Sequence, residues 1–466
     1  MPMMRAKTAF SCLPALSLLV GGCTEQGKEA FKIDKATPNV VIVTWHDTGR
    51  WFGCYGNEHV HTPNIDSLAA RGVMFSNYWS TSSVCSPSRA SMLTGRYPAS
   101  NGVKGLAHPP QNYALHSDEL HLSKLLRNAG YMTYLSGYQH ECPHNMADSL
   151  LGFQEKFLSD PIPPGEQIAD TFAYFARHRK ANEGPFYAQI GFHETHRPFN
   201  FGGVKPDSSK GIYIPPYMQD TPEARAEISL FQGAIRKADS ITGIIIDALR
   251  ESGLYKNTLF VFTVDHGAHF PRAKASMYDP GMEVPLIMYW PDGSISGGKQ
   301  SDIYSCHADF YPTLLDLIHH PIPSRVQGKS FIKAFYEDNP EPIRDAIYGT
   351  FIDAYRCVRT ENYKLIWNFQ PSPRYINLPY TLERTQRAKI WPFHKKDWPY
   401  GELYDLEKDP NEFHNLYFDP DYQEVVKELS TKMKNWMRMT GDVLLNGPAP
   451  TPWYERSSET LREEGK

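Results

Sequence analysis

The chain has 466 residues, with 48 Lys and Arg against 52 Asp and Glu and a formal charge of −4. That balance gives no global basic field, and no stretch reads as a nucleic-acid module, so nucleic acid is excluded as a partner and any anionic ligand must be recognised locally. The length predicts two domains around a large core.

Residues 1–23 have the plan of a secretory signal: Arg5 and Lys7 precede an apolar stretch that ends in Val20-Gly21-Gly22-Cys23. Cys23 is similar to the lipidated cysteine of a bacterial lipobox, with residues 24–37 as a polar tether. The plainer alternative is simple secretion with Cys23 a bystander. Either way the expected location is exported, periplasmic or outer-surface, with membrane contact only through a lipid anchor. Setting aside Cys12, Cys23 and Cys85, the thiols Cys54, Cys142, Cys306 and Cys357 are too few and scattered for a disulfide framework.

Beyond the tether, short continuous apolar runs alternate with helical patterns, as buried parallel strands of an α/β sheet require. Residues 39–45 form the first strand and run into His46-Asp47. Next comes Cys85-Ser86-Pro87-Ser88-Arg89, continuing to Thr94-Gly95-Arg96. Pro87 suits a helix start, 90–93 favour helix and Gly95 can close it, so Cys85 stands where unpaired N–H groups and the helix dipole attract an anion. A Cys-based phosphatase loop is a poor match, because its Arg belongs six residues after the nucleophile, where Ser91 stands.

Ser117 is placed to cap a helix over 118–129, which Gly130 closes. Strand 131–136 leads to Tyr138, His140 and Glu141, and strand 185–192 to His193, His196 and Arg197. Thr221-Pro222 opens a long helix whose stripe of Ile228, Phe231, Ile235, Ile241, Ile245 and Leu249 reads as core. Strand 259–264 delivers Asp265-His266. Ligands of open parallel sheets collect beyond the carboxyl ends of the strands, so four strands ending in His and carboxylate imply one shared site. Asp47 and Asp265 are candidate ligands of a divalent cation, with His46 and His266 beside them; His46 reads equally as a ligand or as a residue facing the substrate. From about residue 343 short strands over 346–350, 357–360 and 364–368 predict a smaller sheet, followed by a last helix over 422–439.

The Cys-x-Pro-x-Arg segment with its Thr-Gly-Arg resembles the signature of type I sulfatases. The stretches 193–197, 215–226, 265–274 and 278–285 resemble one branch, the N-sulfoglucosamine sulfohydrolases and their bacterial relatives. The resemblance implies an alkaline-phosphatase/sulfatase-like fold: a mixed, mostly parallel sheet flanked by helices over 38–340, with a smaller antiparallel α+β unit over 341–466. It implies a sulfuric ester or sulfamate hydrolase in which a formylglycine-generating or anaerobic maturation enzyme oxidises Cys85 to formylglycine. Calcium is the implied ion, with zinc or manganese as alternatives; His46 stands where the family has Asp. Arg89 would orient the formylglycine hydrate, His196 and Lys274 would contact sulfate, and His140 would assist the leaving group. Asp265 would act as base. Lys274 also reads as a solvated loop charge. Tyr138 stands where the family has Lys, and with Glu141, His193 and Arg197 it is expected to face substrate.

The implied substrate is a sulfated saccharide of glycosaminoglycan type carrying N- or O-sulfated glucosamine. Two alternatives remain: a phosphonate or phosphate ester hydrolase of the same superfamily, and a surface glycan-binding lipoprotein impaired in catalysis.

Overall fold

The computed structural model describes residues 37–157, 162–179, 183–369 and 399–447. The signal sequence, Cys23 and most of the tether lie outside them. No helix among the described residues is long and apolar enough to cross a membrane.

In chain order the strands are β1 (Asn39–Trp45), β2 (Val73–Phe75), β3 (Tyr78–Trp79), β4 (Met132–Gly137), β5 (Glu155–Phe157), β6 (Phe186–Gly191) and β7 (Thr258–Val264). They continue as β8 (Leu286–Tyr289), β9 (Lys299–Ser301), β10 (Ser305–Cys306), β11 (Ile347–Phe351), β12 (Tyr355–Arg359), β13 (Tyr363–Asn368) and β14 (Gly401–Asp405). The principal helices are α1 (Pro63–Ala69), α2 (Cys85–Thr94), α3 (Leu122–Asn128), α4 (Gly165–His178), α5 (Pro222–Glu251), α6 (His307–Leu317) and α7 (Gln423–Thr440).

The main sheet has eight strands in the order β5-β4-β6-β1-β7-β8-β2-β9. β1 pairs in parallel with β6 and β7, β6 with β4, and β4 with β5, while β8 runs antiparallel to both β7 and β2. Every residue of β1, β6 and β7 is buried, because helices cover both faces and leave no side of the strand to water. The four strands read from the sequence are therefore the four central neighbours β4, β6, β1 and β7, and their carboxyl ends open on one side. The apolar stripe of α5 is buried at all six expected positions.

The helix expected over 118–129 begins instead at Leu122, capped by His121, whose ring accepts the Ser123 amide at 3.3 Å. Asp118 and Glu119 are drawn away by Arg325, at 3.1 and 2.8 Å, and that tertiary pairing overrides the local cap at Ser117.

β11 to β14 form a four-stranded antiparallel sheet against which α7 packs. The amide of Thr350 donates to the Thr81 carbonyl at 3.0 Å, tying this sheet to the segment that leads into α2. Cys54, Cys142, Cys306 and Cys357 are all free thiols.

Candidate active site

The strand ends converge on Cys85. It is the first residue of α2, with Val84 extended before it and Gly95 closing the helix at φ +68°. Its Sγ is 3.2 Å from His266 Nε2 and 3.8 Å from Asp47 Oδ1, and only 1% of the residue is exposed. Burial pushes the thiol well above its ordinary pKa against the pull of Lys274 and Arg89, so an unmodified Cys85 would be a poor thiolate nucleophile.

Two turns hold the carboxylates. Asp47 sits at φ +43°, a strained value for a residue with a side chain, and its amide donates to Asp265 Oδ1 at 2.9 Å. The His266 amide donates to the same oxygen at 2.9 Å. Gly267 is required next, since a Cβ there would lie 1.8 Å from the Pro280 carbonyl oxygen. Arg89 lies beneath, donating to Asp265 Oδ2 at 3.1 Å and to the Trp45 carbonyl at 3.2 Å. Lys274 Nζ is 2.6 Å from Asp47 Oδ2 and 3.3 Å from His196 Nε2, which makes it a site residue and removes the solvated-loop reading.

Burial alone would raise both carboxyl pKa values, yet both stay well below the usual range. Lys274, His196 and His266 hold Asp47 down, and His266, Arg89 and His46 hold Asp265 down. On the histidines burial acts in the opposite sense and is not overcome. Burial pushes His46 down to about 4 and His193 and His196 down to about 3, and lowers His140, His266 and His269 too, so the ring of imidazoles is neutral.

The donor set fits a divalent cation. His46, Asp47, Cys85 and Asp265 bring ligand atoms within 4.8 Å of one another, all buried. His266 Nδ1 faces the Gly267 carbonyl at 3.0 Å, which fixes its N–H there and leaves the Nε2 lone pair facing Cys85 Sγ and Asp47 Oδ1, each at 3.2 Å. Both ring nitrogens of His46 are buried without a hydrogen bond. Such orphaned donors are what a cation would satisfy.

Other expected residues divide. His193 packs on His196 at 4.5 Å between ring centroids, and the Tyr138 hydroxyl bonds His140 Nε2, so these face the cluster. Glu141 does not: it is fully buried, accepting the His140 amide at 2.9 Å and Gln189 Nε2 at 3.1 Å, and it supports the loop. Arg197 also turns away, pairing with Glu227, lying over Phe199 and donating to the His269 carbonyl at 3.1 Å. Sequence reasoning missed His269, whose Nδ1 is 3.1 Å from Asp47 Oδ2, and His307, whose Nδ1 is 2.8 Å from Ser88 Oγ. His269 follows Asp265-His266-Gly267 in the same loop, a signal that was available; His307 had none.

A mixed, mostly parallel sheet with a helix-start cysteine and a cation-fitted cluster at its strand ends defines the alkaline-phosphatase/sulfatase-like class of α/β hydrolase. The chain belongs to the sulfatase family: the sulfatase family model matches residues 38–320, and the N-sulphoglucosamine sulphohydrolase C-terminal model matches 267–378 and 370–439. It is thus a sulfuric ester or sulfamate hydrolase. An ulvan-active sulfatase of Formosa agariphila is 29% identical over 87% of this chain and 81% of its own length. The N-sulphoglucosamine sulphohydrolase of Homo sapiens is 27% identical over 93% of this chain and 94% of its own. In fold, the chain is similar to a solved protein in complex with its substrate D-glucosamine-2-N,6-O-disulfate, with TM-score 0.68, 20% identity, and coverage of 88% and 99%.

Proposed function

We propose that Cys85, oxidised to formylglycine by a maturation enzyme, carries the hydrate that removes sulfate from a sulfated saccharide, with N-sulfated glucosamine the first substrate class. The observation that carries this reading is the position of Cys85: at a helix start, 3.2 Å from His266 Nε2, with Arg89 and Lys274 already paired to the carboxylates around it. The human relative named as an N-sulphoglucosamine sulphohydrolase, and the fold neighbour solved with a glucosamine disulfate, support the substrate class.

One hydroxyl of the hydrate attacks sulfur, and the bond from sulfur to the departing oxygen or nitrogen breaks. Asp47 is the carboxylate in contact with Cys85 Sγ, at 3.8 Å, and takes the proton of the attacking hydroxyl, with Asp265, held by two amides and Arg89, as the alternative base. Lys274, His196 and Arg89 offset charge on the sulfuryl oxygens as preorganised groups in a dry pocket. His140 is neutral in the free protein; an incoming sulfate adds the negative charge that favours its imidazolium form, from which the leaving atom takes its proton. The second hydroxyl then loses its proton, the carbon–oxygen bond to sulfate breaks, and the aldehyde returns. A divalent cation held by His46, Asp47, Asp265 and His266 would polarise the attacking hydroxyl and the sulfuryl group. The reading includes an exported lipoprotein anchored through Cys23, with catalysis in 38–340 and the smaller unit in 341–466.

A second reading, a phosphate or phosphonate ester hydrolase, is favoured by the two imidazoles of the donor set. Protein made with a maturation enzyme is expected to release sulfate from N-sulfoglucosamine. Release only from O-sulfated sugars would remove the N-sulfate preference, and faster turnover of an aryl phosphate than of the matched aryl sulfate would favour the second reading. Maturation without any turnover would leave the impaired glycan-binding protein.

A further inference from the structure

Each carboxylate of the strand-end cluster already has a fixed positive partner: Lys274 on Asp47 at 2.6 Å and Arg89 on Asp265 at 3.1 Å. Asp265 Oδ1 is further occupied by two amides at 2.9 Å. The cluster therefore offers an incoming ion little net negative charge. What it offers in excess is nitrogen. His266 presents its Nε2 lone pair 3.2 Å from Asp47 Oδ1 and 3.2 Å from Cys85 Sγ, and His46 Nδ1 lies 3.2 Å from Asp265 Oδ2 without hydrogen-bond geometry. A ring lone pair facing a carboxylate oxygen at this distance repels it unless a cation or a proton lies between.

We infer that this site selects a nitrogen-binding first-row dication, of the zinc class, over calcium, and that His46 sets the choice. The inference rests on reading the cluster as a cation site, and its measurement is of metal binding alone, so it stands or falls apart from sulfate release. Calcium is bound by oxygen, and its affinity is tuned by the charge of the ligands, which Lys274 and Arg89 have offset here. Imidazole suits transition ions, whose affinities for nitrogen sites follow the Irving–Williams order. The Gly267 carbonyl on His266 Nδ1 is the kind of outer contact that fixes the tautomer of a metal-bound histidine. His46 is the deciding position because it is fully buried, adds the second nitrogen, and has no partner at Nε2, while Nδ1 meets only Asp265 Oδ2 at 3.2 Å.

The test uses full-length Cys85→Ser protein, so that a residual thiol cannot act as a zinc ligand, stripped with a chelator and titrated with Mn²⁺, Zn²⁺ and Ca²⁺ separately. Zinc is expected to bind about a hundredfold more tightly than calcium, and pulsed electron paramagnetic resonance of the Mn²⁺ form, used as a spin probe, to show nitrogen coupling from two imidazoles. His46→Asp is expected to shrink that preference about tenfold or more by exchanging nitrogen for a charged oxygen. Calcium binding as tight as zinc, or coupling from a single imidazole, would overturn the inference. The resonance measurement needs only the parent, so it decides even if His46→Asp does not fold.

Discussion

Two clusters of buried charge share the loop from Asp265 to Asp279, and they are built to opposite rules. At the far end Lys364 bridges Asp279 and Glu412, at 2.7 Å from the latter, and Arg359 grips Asp279 at 3.0 Å. Glu412 also accepts the Asp279 amide at 2.7 Å, while Arg272 donates to the carbonyls of Asn411 and Glu412 and lies 3.7 Å over the Tyr278 ring. There each carboxylate meets a cation, and the result pins the C-terminal sheet to the catalytic loop. At the strand ends the two carboxylates are paired as well, with Lys274 and Arg89, but six neutral imidazoles stand in excess around them, and His46 Nε2 is buried with no partner. A closed set of charges holds the fold together; an open set of donors is arranged for something that arrives later.

The comparison predicts that the first cluster answers to mutation in stability and the second in rate. The largest effect falls at the nucleophile: Cys85→Ala should lower kcat/KM for sulfate release by about four orders of magnitude or more, with an unchanged unfolding midpoint. Lys274→Met should cost about 10²- to 10³-fold in kcat, as loss of one preorganised charge does, and leave the cation-loaded protein folded. Lys364→Met reverses the pattern. It strands Glu412 as a buried carboxylate, leaves Asp279 to Arg359 alone, and should destabilise by about 3–5 kcal/mol in denaturant unfolding, while the folded fraction keeps most of its kcat. If Lys364→Met lost activity without losing stability, the division between the clusters would be wrong.

The smallest effect is a pH dependence. Burial pushes His121 and His307 down to about 3 from an ordinary 6.5. Below pH 6.5 the unfolded chain takes up protons that the folded chain refuses until about pH 3, so stability falls as the pH drops through that window. Each group can contribute about 1.4 kcal/mol per pH unit. Denaturant midpoints at pH 7, 6 and 5 should decline in the parent and decline less in His121→Asn, which keeps an acceptor for the Ser123 amide.

Much of this was legible in the sequence because the sheet writes itself as uninterrupted apolar runs that stop at polar residues. β1, β4, β6 and β7 were readable to within a residue or two, and they alone bring His46, His140, His196 and Asp265 together. Cys85, Arg89 and Lys274 needed the family resemblance as well, since a short motif and a loop lysine have no periodicity to betray them. Glu141 and Arg197 misled for a physical reason: adjacency in sequence to a site residue does not set the direction of a side chain, and each found a stronger partner behind the loop. Ser117 lost its cap role because Arg325, more than 200 positions away, competes for Asp118. The interface cluster was illegible, since Asp279, Lys364 and Glu412 meet only once two sheets have packed.

The proposed chemistry turns on what stands at position 85. Mass spectrometry of the tryptic peptide spanning residues 72–89, from protein that releases sulfate, measures it directly. The predicted result is the aldehyde or its hydrate in place of the thiol. Full sulfate release from protein whose residue 85 is entirely unmodified cysteine would contradict it.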